Sequence, residues 1–165
     1  MNLINIEPID KNNWEEAYSI SLLKSQEKIV PSVIESLAWA YIKPWDEAFD
    51  PYILRKDGKT FGFFYLSYTP NSTNNYWIGG FQIDKEYQGL GLGTQSLKRI
   101  LEFIQKRHRE CEVISLTVEK SNNHARKLYE KLGFVNQDKD NQDGEIIYKL
   151  KLPNVHSRYR KTLGI

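Results

Sequence analysis

Residues 86–97 read EYQGLGLGTQSL, with Gly89, Gly91 and Gly93 at alternate positions between a strand-like run and a helix-like run. Glycine weakens the interior of a helix or strand, yet it lets bare backbone turn sharply and lie close to another group. A strand, a glycine loop and a helix in that order leave free N–H groups at a helix N-terminus. There they converge on an anion, and the helix dipole adds to the attraction. The chemistry predicted for this stretch is phosphate binding. A mononucleotide loop, G-x-x-x-x-G-K-[ST], does not fit, because no lysine and hydroxyl pair follows Gly93. Nor does the dinucleotide fingerprint G-x-G-x-x-G, since Thr94 and Ser96 stand where its third glycine is required. A glycine turn that holds no ligand remains the alternative.

The elements that must position this loop follow from periodicity. LINIEPI alternates like a strand, and Asp10 then caps a predicted helix from about Lys11 to Lys24. A second helix is predicted over Val30 to Tyr41, with Pro31 in its first turn and Val33, Ile34, Leu37, Ala38 and Tyr41 on one stripe. Tyr52–Arg55 and Thr60–Tyr68 flank a Lys-Asp-Gly-Lys turn and read as a hairpin. After the polar stretch TPNSTNN, the run YWIGGFQID is a strand interrupted by Gly79 and Gly80. Those two glycines mark a bulge or tight packing against a helix. Beyond the loop, Leu97, Ile100, Leu101 and Ile104 fall on one helical face to about Arg109, and EVISLTV is a buried strand. Ala125, Leu128, Tyr129 and Leu132 define another amphipathic helix, begun at Asn122 and stopped at Gly133. Phe134–Asn136 and Glu145–Leu152 close the chain as two strands.

Composition bounds the class. The 165 residues carry 23 basic and 21 acidic side chains for a net charge of +2, which gives no field of the kind nucleic-acid binding uses. The length suits a single domain over 1–165 with residues 153–165 as a C-terminal tail. The tail HSRYRKTLGI is locally basic and reads as a solvated terminus rather than a recognition arm. A lone cysteine, Cys111, and an N-terminus without a basic and apolar leader lead us to expect a cytoplasmic protein with no membrane partner. Metal ligation has no support, because His108, His124 and His156 are not grouped with cysteines or carboxylates at ligand spacing.

Two motifs remain. Gln88, Gly91 and Gly93 spell Q-x-x-G-x-G, and Asn122, Ala125, Tyr129, Gly133 and Phe134 spell N-x-x-A-x-x-x-Y-x-x-x-G-F. In this order, joined by one helix and one strand, they resemble the cofactor segments of the GNAT family of acetyl-CoA-dependent N-acetyltransferases. Within that family the likeness is to bacterial spermine/spermidine acetyltransferases. It is carried by FGFFYLSY, YWIGGFQIDKEYQGLGLG, ARKLYEKLGF and, less diagnostically, QEKIVPSVIESLAWAY. The resemblance implies an α/β (α+β) fold with a mixed central sheet of about six to seven strands flanked by about four helices. It also implies acetyl-CoA as co-substrate, a small primary amine such as a polyamine as acceptor, and a homodimer as an open option.

The resemblance assigns the pyrophosphate to the backbone of Gln88, Gly89, Leu90, Gly91, Leu92, Gly93 and Thr94. It assigns the pantetheine arm to Phe81, Gln82 and Ile83 on the preceding strand, beside splayed parallel strands whose N–H groups stay free. Asn122 either bonds the pantetheine amide or simply caps its helix. Tyr129 is the candidate general acid for the departing thiolate, against the alternative of a core aromatic. Many members of the family place a glutamate on the strand before the loop, but this chain has Gly79, Gly80 and Gln82 there. Glu35 is the substitute base, with Glu27, Asp46 and Glu47 behind it. Trp45, Asp46 and Glu47, joined by Phe49, Asp50 and Tyr52, supply carboxylates and aromatic faces for a polycation, or fold a loop onto the core. The open alternatives are a peptide, protein or aminoglycoside amine as acceptor, and a non-catalytic acyl-CoA sensor.

Overall fold

The computed structural model describes residues 3–153; the basic tail and His156 lie outside them. In chain order the elements are β1 (Asn5–Pro8), α1 (Trp14–Tyr18), α2 (Val33–Ile42), β2 (Ala48–Lys56), β3 (Lys59–Tyr68), β4 (Tyr76–Ile83), α3 (Leu92–Arg107), β5 (Val113–Val118), α4 (Asn123–Lys131), β6 (Val135–Asp140) and β7 (Ile146–Lys151). The strands form one mixed sheet in the order β1-β2-β3-β4-β5-β7-β6. Neighbours pair antiparallel except β4 and β5, which run parallel. The fold is therefore the α/β arrangement that the sequence motifs imply.

Alternation along the strands divides the hydrophobic residues between two faces. Leu54, Phe64, Leu66, Tyr76, Ile78, Ile114, Leu116 and Tyr148 bury one face together with Leu97, Ile100 and Ile104 of α3 and Tyr129 of α4. The amphipathic stripe predicted for α3 is thus the stripe it buries. On the other face Ile53 and Phe63 pack with Ala17 of α1 and Val33 of α2, and Leu37 and Tyr65 close over them. Cys111 is buried just before β5, and burial pushes its thiol up to about 12, which removes it as a nucleophile at neutral pH.

Four local expectations are corrected. The first helix spans only Trp14–Tyr18 rather than Lys11 to Lys24. Past it, the Ser21 N–H donates to Asp84 Oδ2 (2.9 Å) and the Lys85 N–H to the Ser21 carbonyl (2.8 Å), so bonds to the end of β4 replace helical ones. Pro31 precedes α2 instead of lying in its first turn, because Ser32 is the N-cap. The Ser32 Oγ accepts from the Glu35 N–H (3.2 Å), and Glu35 Oε2 accepts from the Ser32 N–H (2.8 Å), a reciprocal capping box. The hairpin strand starts at Ala48, since Phe49 and Asp50 are already in register with Ser67 and Leu66. The fourth correction concerns what Gly79 packs against.

β4 carries the expected bulge. Phe63 pairs with Gln82 and Tyr65 with Gly79, so two steps along β3 match three along β4, and Gly80 takes up the difference at φ +59°. Gly79 is crowded by a ring, not a helix: a Cβ there would lie 2.1 Å from Cζ of Tyr65 and 2.3 Å from its hydroxyl oxygen. We expect Gly79→Ala to cost about 1–3 kcal/mol as overpacking. In urea denaturation most of that penalty should disappear when Tyr65 is Leu in both chains. Ser32→Ala should cost about 0.5–2 kcal/mol through the lost cap, read by the same denaturation.

Candidate active site

The glycine loop forms one end of the site. Residues Lys85–Tyr87 make a single 3-10 turn capped by Asp84, whose Oδ1 accepts from the Glu86 N–H (2.9 Å). Gly91 is the N-cap of α3 in the left-handed region at φ +73°, where a Cβ is penalised. No side chain caps this 16-residue helix, so its first-turn N–H groups are left to whatever lies above the loop. A Cβ at Gly93 would touch only Leu128 Cδ2, at 3.9 Å. The protein's own packing therefore does not require Gly93 to be bare, and the space over it suits a phosphate.

The Gln88 side chain points away from that space. Its Nε2 donates to the Ile83 carbonyl (2.9 Å) and to Gln26 Oε1 (2.9 Å), and Gln26 Nε2 donates back to Gln88 Oε1 (3.0 Å). Together with the bonds of Ser21 to Asp84 and Lys85, this amide pair fastens the segment between α1 and α2 to the loop. Leu90, by contrast, is exposed, while Leu92 is buried and anchors the start of α3.

The middle of the site is a slot between two strands. β4 and β5 pair only at Tyr76↔Ile114 and Trp77↔Ser115, after which β5 continues on β7 as far as Val118↔Ile146. Phe81, Gln82 and Ile83 therefore lie where the β4 edge toward β5 has no strand partner, although an unpaired row inside a sheet is normally filled. On the face toward α4, Tyr129 is buried between Phe134 (6.0 Å between ring centroids) and Tyr148 (6.4 Å). Burial, and after it the charge of Glu145, pushes the Tyr129 phenol up to about 12, so it is protonated at neutral pH. No described residue hydrogen-bonds its hydroxyl. Asn122 caps α4 through the Ala125 N–H (3.1 Å), as one of its two readings has it.

The opposite face holds a pocket of about 290 Å³, lined among others by Tyr18, Ser21, Glu27, Ser32, Val33 and Gln82. Gln82 is buried at its base, donating from Nε2 to the carbonyls of Gly80 (3.1 Å) and Pro31 (3.2 Å). The acidic residues expected near an acceptor are dispersed. Glu27 lines this pocket, whereas Glu35 does not, and its carboxyl is held below the usual range by the Ser32 N–H and hydroxyl. Glu47 braces β3, accepting from the Ser67 hydroxyl (2.6 Å) and Asn75 Nδ2 (2.8 Å). Trp45 stacks on Phe49 (6.4 Å) and meets Trp39 edge-on (5.6 Å), and Asp46 is exposed. Because Phe49 to Tyr52 belong to β2, Asp50 and Tyr52 cannot join Trp45 around one ligand. Asp50 accepts from the Tyr68 hydroxyl (3.0 Å) and Tyr52 stacks on Phe64 (5.1 Å), both on the sheet face that α3 covers.

Sequence reading passed over Tyr65, Ser21 and Gln26. The one available signal was Gly79 itself, since a glycine inside a strand marks close approach by a neighbour. Which neighbour depends on register.

A family model described as "Acetyltransferase (GNAT) family" matches residues 13–134. Over 64 residues the chain is 38% identical to a probable spermine N(1)-acetyltransferase of Bacillus subtilis subsp. natto (strain BEST195), an alignment that spans 39% of this chain and only 41% of that relative. Among solved structures it is similar to AAC(6')-Ib in complex with parmomycin and acetyl-CoA, with TM-score 0.74 and 19% identity over 96% of this chain and 98% of that one. It is also similar to spermidine N-acetyltransferase from Vibrio cholerae in complex with CoA and spermine, with TM-score 0.69 and 16% identity over 92% and 95% of the two chains. Identities this low speak for the fold alone. With the uncapped loop, the split β4–β5 pair and the family match over most of its length, the chain belongs to the GNAT acetyltransferase family.

Proposed function

We propose that the chain is an acetyl-CoA-dependent N-acetyltransferase that acetylates a primary amine of the polyamine class, acting in the cytoplasm as a single domain. The observation that carries this reading is the β4–β5 slot. It opens the sheet between a phosphate-ready helix end on one side and, on the opposite face, a pocket with an acidic residue, Glu27. The polyamine class is supported by the likeness to the Bacillus relative and by the Glu27 carboxylate in the pocket.

The backbone from Gln88 to Thr94 holds the pyrophosphate, and the free main-chain groups of Phe81 and Ile83 line the pantetheine arm. A free N–H of the same strand faces the thioester carbonyl, where it stabilises the charge that develops on oxygen as the amine attacks. The Tyr129 hydroxyl gives its proton to the departing thiolate. An alkylamine of pKa about 10.4 arrives mostly as ammonium and attacks only after giving a proton to solvent at the mouth of the acceptor pocket.

Thiol release from acetyl-CoA, measured against spermine, spermidine, short diamines, lysine peptides and an aminoglycoside, tests the reading. Saturable turnover with polyamines alone supports it; turnover confined to peptides or the aminoglycoside overturns the acceptor class. Tyr129→Phe should lower kcat by about 10²- to 10⁴-fold while leaving acetyl-CoA affinity and thermal stability unchanged, as expected for a hydroxyl with no partner among the described residues. A tyrosine that only packs would leave kcat unchanged. The pH profile follows from the same groups. Since Tyr129 keeps its proton to about 12, kcat/KM should rise about tenfold per pH unit from pH 7 to 9, as neutral amine accumulates, with no falling limb in that range. A fall below pH 9 would assign the proton donor to a more acidic group.

A further inference from the structure

We propose that Glu145, at the head of β7, is the carboxylate that receives the acceptor's ammonium group, opposite the place that β4 leaves bare at Gly79. The inference rests on the acetyltransferase reading and adds a residue to it.

Register brings the parts together. Trp77 and Ser115 are the last paired residues of β4 and β5, and two residues further along the strands are Gly79 and Thr117, on the same sheet face. The Thr117 hydroxyl donates to Glu145 Oε2 at 2.7 Å, and Asn141 Nδ2 donates to the same oxygen at 2.8 Å. Asn141 Oδ1 in turn accepts from the Glu145 N–H (2.9 Å), closing the β6–β7 connection around the carboxylate. Both donors are spent on one oxygen. No described residue donates to Oε1, and Glu145 is only half-buried.

On the other side of the slot, the Tyr65 ring occupies the volume that a side chain at Gly79 would fill. β4 therefore cannot supply a carboxylate at this level, and Glu145 supplies one from β7. Its charge reaches across the opening: after burial, it is the second cause that pushes up both the Tyr65 phenol on the α2 face and the Tyr129 phenol on the α4 face. The carboxylate is thus near enough to both phenols to act on each. A primary ammonium entering from the acceptor side would meet Oε1 with the Tyr65 ring alongside, which suits a cation.

Glu145→Gln tests this, because a glutamine oxygen still accepts from Thr117 and Asn141 and the hairpin is kept. The variant should raise KM for spermidine about 10- to 100-fold, the loss expected for a charge-assisted hydrogen bond, with acetyl-CoA affinity and melting temperature unchanged. Titration of spermidine into the CoA-bound protein should show the same weakening without turnover. Thr117→Val, which loosens the carboxylate without removing it, should raise KM by a smaller factor. Wild-type KM and spermidine affinity in Glu145→Gln would overturn the assignment and leave the acetyltransferase reading intact. A wild-type chain that neither binds nor acetylates any amine would overturn both.

Discussion

Backbone polar groups inside a sheet must find partners, and this fold leaves a row of them without a strand partner among the described residues. β4 departs from β5 after two paired residues, in the middle of a seven-stranded sheet, where a strand normally has both edges filled. Two features enforce the departure. The bulge at Gly80 turns the end of β4, and the antiparallel partner β7 holds β5 on its other course as far as Val118. The open edge is thus a consequence of how the pairings elsewhere are registered.

The same geometry assigns different work to the two faces. On the α3 and α4 side, a helix without a cap, a glycine with room above it and a buried protonated phenol suit an anionic thioester and the thiolate it releases. On the α2 side, carboxylates with free or exposed oxygens suit a cation. The two sides are mechanically joined, because the segment that walls the acceptor pocket is bonded through Ser21 and Gln26 to Asp84 and Gln88 at the root of the glycine loop.

Much of this was legible in the sequence wherever the determinants are local. The glycines, the apolar stripe of α3, the Asn122 cap and the Gly133 stop of α4 each specify structure within a few residues, and each is found in place. Where contacts are distant, the pattern misleads. The predicted first helix fails because its second half is claimed by Asp84, 63 residues away from Ser21. The cluster from Trp45 to Tyr52 reads as one aromatic and acidic loop, yet strand alternation sends Asp50 and Tyr52 to one face and Phe49 to the other. Glu35 looks free in sequence and is occupied by its own helix cap. Glu145 gives no signal at all, since its meaning comes from Thr117, 28 residues earlier, and from a glycine on a third strand.

Amide hydrogen exchange with and without acetyl-CoA tests most directly whether the parted strands are the seat of the co-substrate. Without it, the amides of Phe81, Ile83 and residues 89–94 should exchange quickly for positions in or beside regular structure, and those of β3 slowly. With it, protection should appear in these two stretches together, while β1 and β2 stay unchanged. Protection absent from Phe81 and Ile83, or already complete there in the free protein, would contradict the claim that the β4 edge is held open for a ligand.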